Sequence, residues 1–367
     1  MAGPVPGPGI LDISPYVGGE HSVPGVQRLI RLASNEGALG PSPAAVAAYQ
    51  EQAATIHRYP EGGSTKLREA LAAHHSLDVS RIVCGFGSDE LLQLLVRAYT
   101  GPGTELIHSA HGFLVYPIAA LSCGATPVSV PERNLTADVD ALLAAVTPRT
   151  RALFLANPNN PTGSYLSVGE VERLHRGLPE NVLLVLDAAY AEYVRANDYS
   201  AGFELVERAS NVVVTRTFSK VYALGGLRLG WSYSPAPIAD VLNRIRGPFN
   251  VSSEAQAAGL AALHDHEFIA RSVAHNETWR DWFTQEVRSL GYVVHPSVGN
   301  FVLVSFAGLD GKKADAEGAR LLLKSRGILV RQMGAYGLKH CLRITIGTGE
   351  EMREVAKGLG DWLAGAP

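Results

Sequence analysis

This sequence predicts an α/β fold, with a mostly parallel sheet buried under helices and a smaller α+β domain beside it. Three observations carry that expectation. From about Leu67 to His264, short β-rich runs alternate with helical patterns, the signature of βαβ units and a covered parallel sheet. After Asn250 the texture changes to a long helical stretch with a charged middle, followed by further strands. A length of 367 residues suits two domains, or one large α/β unit with an appendage.

The elements follow in chain order. Met1–Gly9 alternates Gly and Pro without the basic and apolar regions of a signal peptide, and reads as a loose tail. An apolar helix is expected over Leu91–Ala98. Strands are expected at Glu105–His108, Thr126–Val130, Ala152–Ala156, Leu183–Asp187, Val212–Thr217 and Leu229–Ser234. One long helical stretch covers Ser253 to Leu290. Beyond it lie strands near Tyr292–Val294, Phe301–Val304, Ile328–Arg331 and Leu342–Ile346, with helices at Ala314–Arg326 and Glu350–Leu363. The segment before Pro43 is expected to join this smaller part.

Composition narrows the function. Apolar residues make up 46% and charged residues 18%, ordinary for a soluble globular enzyme. A net charge of −3 with both signs interspersed leaves no footprint for nucleic acid or an anionic membrane. Cys84, Cys123 and Cys341 are far apart and form no CxxC pair, which argues against a disulfide framework or a zinc site and fits a reducing cytoplasm. No apolar run approaches the roughly 20 residues that span a bilayer. His74-His75 and His264-Asp265-His266 lack further ligands, so they are expected at the surface and a metal enzyme is disfavoured.

Three strand ends and one helix start gather the chemistry. Arg216-Thr217-Phe218-Ser219-Lys220 follows the apolar run Val212–Val214. A lysine there, with hydroxyls beside it and Arg228 eight residues on, has the ingredients for an imine to an aldehyde cofactor and for holding that cofactor's phosphate. Taken alone, a solvated lysine after a strand is the plainer reading. Asp187 ends the buried run Leu183–Leu186, so its carboxylate faces the crevice where open α/β sheets bind ligands, and it could keep a pyridine nitrogen protonated. A helix N-cap is the plainer reading. Tyr190 could bond a phenolic oxygen or simply pack. Asn157-Pro158-Asn159-Asn160-Pro161-Thr162-Gly163 is a run of turn formers that puts the Asn160 amide beside the same crevice. Gly85-Phe86-Gly87-Ser88-Asp89-Glu90 opens a helix whose N–H groups could cradle a phosphate, or be capped by Ser88 or Asp89. A dinucleotide site fails here, because Glu90 replaces the third glycine of G-x-G-x-x-G and no long strand is evident before it.

As an ordered set these stretches resemble the histidinol-phosphate aminotransferase family, within the aspartate-aminotransferase type of pyridoxal-phosphate (PLP) fold. Further matching segments are Leu32-Ala33-Ser34-Asn35-Glu36, Leu39–Pro43, Arg58-Tyr59-Pro60-Glu61-Gly62, Gly226–Gly230, Gly327–Arg331 and Cys341–Thr348, so the resemblance covers nearly the whole chain. It implies fold type I, with a seven-stranded sheet in a large PLP-binding domain at 43–262, a small domain at 263–367 and an N-terminal arm at 1–42 contributing to the small domain. It also implies roles. Lys220 is the Schiff-base lysine and proton shuttle, Asp187 the pyridinium partner, and Asn160 and Tyr190 ligands of the phenolic oxygen. Phe113 stacks on the ring. Gly87, Ser88, Asp89, Thr217, Ser219 and Arg228 surround the phosphate, with Tyr59 reaching in from a partner subunit of a homodimer. Arg343 takes the substrate α-carboxylate and Arg331 the substrate phosphate, with Tyr16 and Asn35 also in the substrate pocket. Because Arg331 and Arg343 fall on adjacent strand runs, they are expected to bind two anionic ends of one molecule.

The sequence departs from the family at Gly37-Ala38 (usually Asn-Pro), Ala188 (usually Glu) and His111-Gly112 (usually Pro-Thr). These leave the donor open. The reaction implied is ping-pong transamination of histidinol phosphate with 2-oxoglutarate. Competing readings are an aromatic amino-acid transaminase, a PLP decarboxylase of a phosphorylated amino acid, and a non-catalytic effector-binding module; the last lacks a helix-turn-helix before Leu32.

Overall fold

The computed structural model describes residues 3–20, 22–25 and 28–365, so Met1 and Ala2 of the expected tail, and the last two residues of 263–367, lie outside the described residues. Its strands, in chain order, are β1 (Ile30–Leu32), β2 (Ile82–Phe86), β3 (Glu105–Ser109), β4 (Thr126–Val130), β5 (Glu132–Arg133), β6 (Thr136–Ala137) and β7 (Thr150–Ala156). There follow β8 (Leu183–Asp187), β9 (Val212–Thr217), β10 (Leu229–Tyr233), β11 (Val293–His295), β12 (Phe301–Ser305), β13 (Ile328–Gln332) and β14 (Cys341–Thr345).

Seven of them form one sheet in the order β2-β10-β9-β8-β7-β3-β4. Within it β10 runs antiparallel to both its neighbours and the other pairings are parallel, as the alternation of strands and helices requires. Both faces are buried. Along β8, Leu184 and Leu186 join one apolar cluster while Leu183 and Val185 join the other, the period-2 consequence of a strand covered on both sides. Each such side chain contributes about 1.5–3 kcal/mol by leaving water.

A second sheet has the order β1-β13-β14-β12-β11. Here β1 pairs parallel with β13, which brings the amino-terminal segment onto the sheet formed by the carboxyl-terminal strands. The helix His266–Ser289 serves both cores, with Val273 in the cluster of the large sheet and Phe283 and Val287 in that of the five-stranded one.

Three expectations need correction. A five-residue strand, β2, does precede Gly87; it is buried over Ile82–Gly85, and Gly85 at its end masked the β pattern. The stretch Ser253 to Leu290 is two helices, Ser253–His264 and His266–Ser289, broken at Asp265, whose carboxylate accepts from the Phe268 N–H and so caps the second. His75 is half-buried rather than at the surface: its ring packs 5.2 Å from that of Trp231, and burial, reinforced by Arg216, pushes its pKa down to about 3. His74 stacks on His266 at 5.4 Å. No helix among the described residues is long and apolar enough to cross a membrane.

Candidate active site

The carboxyl ends of parallel strands face one edge of a sheet, so Phe86, Ser109, Ala156, Asp187 and Thr217 all finish there. Because β10 is antiparallel, its amino end lies at that edge too, and Arg228 stands just before it. A cavity of about 320 Å³ occupies this edge. It is lined by Lys220, Asp187, Tyr190, Asn160, Phe113, Ser88, Asp89, Thr217, Ser219 and Arg228, and also by Tyr16, Asn35, Arg331 and Arg343 from the arm and the second sheet. Gly87 and Tyr59 are not in the lining. Lys220 is the only lysine among the described residues that is.

At one end the helix Gly87–Tyr99 presents its first turn. Arg228 donates from Nη2 to Asp89 Oδ2 at 3.0 Å, and from Nη1 to the Gly225 carbonyl at 3.0 Å and Ser219 Oγ at 3.4 Å. Thr217 Oγ1 accepts from the Ser219 N–H at 3.0 Å and fixes the turn that follows β9. Gly87 has φ +75°, and a Cβ there would lie 2.5 Å from Arg228 Nη2. Only glycine lets that guanidinium lie against the helix start. The result is a cup of helix N–H groups, hydroxyls and one guanidinium, suited to a phosphate.

In the middle, Asp187 is 5% exposed and has no cation paired with it among the described residues. Burial raises its pKa to about 6, against the hydroxyl of Tyr116, which donates to Oδ2 at 2.8 Å, and weaker help from Thr215 at 3.4 Å. A buried carboxylate in this condition gains most from a cation placed before it. Burial, then the Asp187 charge, raises the Tyr116 pKa, so its phenol stays a donor. The Lys220 ammonium contacts the Ser34 carbonyl at 3.4 Å and lies 5.5 Å from the centre of the Tyr190 ring. Asn35, held at φ 56°, donates from Nδ2 to the Tyr190 oxygen at 2.9 Å, which leaves the tyrosine's own proton free.

At the far end, Arg331 and Arg343 are direct cross-strand partners on β13 and β14, so both side chains leave the same face. Arg343 is 6% exposed. It donates to Asn160 Oδ1 and to the Ala33 carbonyl, both at 2.5 Å; its Nε has no partner and it makes no ion pair among the described residues. Burial lowers its pKa, and nearby Arg331 acts in the same direction. Arg331 donates to the Val17 carbonyl at 2.5 Å and lies over the Tyr16 ring at 5.8 Å. Accepting from Arg343 fixes which way the Asn160 carboxamide points and turns its Nδ2 toward other acceptors.

The structure thus lines the cavity with every residue expected at the site except Gly87, which lies behind Arg228, and Tyr59, which is 82% exposed and stacks on Phe249 at 4.7 Å outside the cavity. Sequence reasoning missed the Tyr116 hydroxyl, the Ser34 carbonyl, Glu36 in the lining and Thr345, whose hydroxyl bonds Asn35 at 2.9 Å and 3.1 Å.

Residues 27–359 match the family model described as aminotransferase class I and II. Two curated relatives called histidinol-phosphate aminotransferase, from Rhodospirillum centenum and Paramagnetospirillum magneticum, are 66% and 59% identical. The first match covers 100% of both chains and the second 99% of both. A crystal structure of the histidinol-phosphate aminotransferase of Sinorhizobium meliloti in complex with pyridoxal-5'-phosphate superposes with a TM-score of 0.85 at 31% identity, over 92% of this chain and 91% of that one. With its sheet, its cavity and its sequence all in agreement, the chain belongs to the class I and II aminotransferases.

Proposed function

We propose that this chain is a PLP-dependent aminotransferase that transaminates L-histidinol phosphate with 2-oxoglutarate, the exchange that yields imidazole-acetol phosphate and glutamate in histidine biosynthesis. The residues present fit the cofactor. The phosphate cup of Ser88, Asp89, Thr217, Ser219 and Arg228 is separated from Arg343 by the lone buried carboxylate of Asp187 and the amine of Lys220, in one cavity of about 320 Å³. PLP supplies, when bound, an aldehyde carbon that condenses with amines and a protonated ring that draws electron density from the donor's α-carbon.

The chain's own groups do the rest. Asp187 would keep the cofactor's ring nitrogen protonated, because no other cation pairs with its carboxylate among the described residues. Tyr190, whose oxygen already accepts from Asn35, and the Nδ2 of Asn160 would donate to the phenolic oxygen. Phe113, in the cavity lining, would pack against the ring. Lys220 Nζ would hold the cofactor's aldehyde carbon covalently and, as a free amine, would supply the base that moves the donor's proton.

The observation that carries the substrate assignment is the in-register pair Arg331 and Arg343. Histidinol phosphate has one anionic group rather than two, so the expectation of two anionic ends gives way to a single dianion between two guanidiniums. An aromatic amino acid, with a singly charged carboxylate, leaves one of the two cations uncompensated. Glutamate fits the same pair through its two carboxylates. Arg331→Ala is expected to cost roughly 2–4 kcal/mol in kcat/KM with histidinol phosphate and little with phenylalanine. Equal losses, or a wild-type preference for phenylalanine in the same steady-state assay, would favour the aromatic transaminase.

We also propose a cytoplasmic homodimer, divided as arm 1–42, large domain 43–262 and small domain 263–367. Exposed Val46, Tyr49, Ile56 and Tyr59 with Phe249 support a second copy covering this face. Tyr59 then completes the phosphate cup of the partner. Tyr59→Phe is expected to weaken cofactor retention without altering donor preference; light scattering that finds a fully active monomer would exclude this arrangement.

A further inference from the structure

We propose that His111 and Glu132 form a clamp that positions Phe113 and the Asn160 loop against the cofactor. It rests on the assignment of the cavity to PLP, and it concerns residues that do not touch the cavity themselves.

Glu132 lies on the two-stranded hairpin β5–β6, and its side chain is 1% exposed. One carboxylate takes two donors from one residue: the His111 backbone N–H at 3.2 Å and His111 Nδ1 at 2.9 Å. Glu132 has no other side-chain partner among the described residues. The carbonyl of the same histidine accepts from Asn159 Nδ2 at 3.3 Å. Asn159 Nδ2 also donates to Thr162 Oγ1 at 2.9 Å, Thr162 and Ser164 share a hydroxyl bond of 2.8 Å, and Ser164 Oγ donates to the Leu135 carbonyl at 2.7 Å. Leu135 is in the turn between β5 and β6, so the chain of bonds starts and ends on one hairpin. It is a closed circuit.

Two cavity-lining residues ride on that circuit. Phe113 is two residues beyond His111, and Asn160 is one beyond Asn159. Neither is held by the sheet, since β3 ends at Ser109 and β7 at Ala156. The circuit ties the two loops to each other, beside the bond by which Arg343 orients Asn160. The clamp depends on histidine here: a proline at position 111 has neither an N–H nor a side-chain donor and could make neither bond to Glu132. Removing the His111 side chain takes one of two donors from a buried carboxylate, which loosens the hairpin and the two site loops.

The test uses the holoenzyme and three variants: His111→Ala, Glu132→Gln and His111→Asn, the last keeping an N–H donor near the position of Nδ1. Two readouts are followed, the rate at which PLP leaves on dilution and the induced circular dichroism of the bound cofactor, with thermal melting of each apo form as a control for folding. His111→Ala and Glu132→Gln are expected to lose cofactor about tenfold faster and to show weakened dichroism. His111→Asn is expected to stay within about threefold of wild type. Wild-type release and dichroism in both His111→Ala and Glu132→Gln overturn the clamp, as does His111→Asn behaving like His111→Ala. A wild-type protein that retains no PLP would instead overturn the cofactor assignment, so the two failures are distinguishable.

Discussion

Lys220→Ala is expected to abolish steady-state transamination, with a loss on the order of 10³-fold or more, and to remove borohydride-stable attachment of the cofactor. The argument is one of placement. Lys220 stands three residues past the end of β9, and its amine reaches back into the cavity to the Ser34 carbonyl at 3.4 Å. No other lysine among the described residues lines that cavity, so no second amine can form the covalent link or carry the proton. The fold is expected to survive, because Nζ makes only that one long hydrogen bond and its ring contact with Tyr190. A melting midpoint close to wild type, measured alongside the lost activity, separates chemistry from unfolding. Recovery of borohydride-trapped cofactor on another lysine would sink the assignment.

How much of this was legible in the sequence depends on which forces fix each part. Strands buried along their whole length, Leu183–Asp187 and Val212–Thr217, were readable to the residue because an apolar run ending in polar residues has few other solutions. The strand Ile82–Phe86 was not, since Gly85 gives it no β-like side chain at the point of contact with the phosphate cup. Site residues that sit at strand ends were legible for a related reason, because the sheet itself aims them. Tyr116 was not. Its role depends on a helix, Val115–Ser122, that packs its buried face so that the phenol meets Asp187, 71 positions away in the chain. No local pattern encodes that contact. The same holds for His111 and Glu132, whose pairing depends on a hairpin of two-residue strands too short to show periodicity.

Asp187→Asn is expected to slow α-proton abstraction by on the order of 10²-fold or more while changing donor binding far less. Without the carboxylate, the ring nitrogen loses the charge that keeps it protonated, and the ring becomes a weaker sink for electrons. The apo protein should respond in the opposite sense. Burial raises the Asp187 pKa from an ordinary 3.8 to about 6 in the folded chain, so between those values the native state binds more protons than the unfolded state. Stability contributed by this group is therefore greatest below about pH 4, falls as pH rises through about 6, and stays low above it. Asparagine carries no such cost. Apo Asp187→Asn should melt higher than apo wild type at pH 8, by up to about 3 kcal/mol, and the gap should close as pH falls toward 4. Adding PLP at pH 8 should reverse the ranking, because the cation on the ring compensates the wild-type carboxylate and has nothing to compensate in the variant. A variant within a factor of two of wild type in single-turnover proton abstraction, or a gap between the apo forms that does not change with pH, would remove Asp187 from this role.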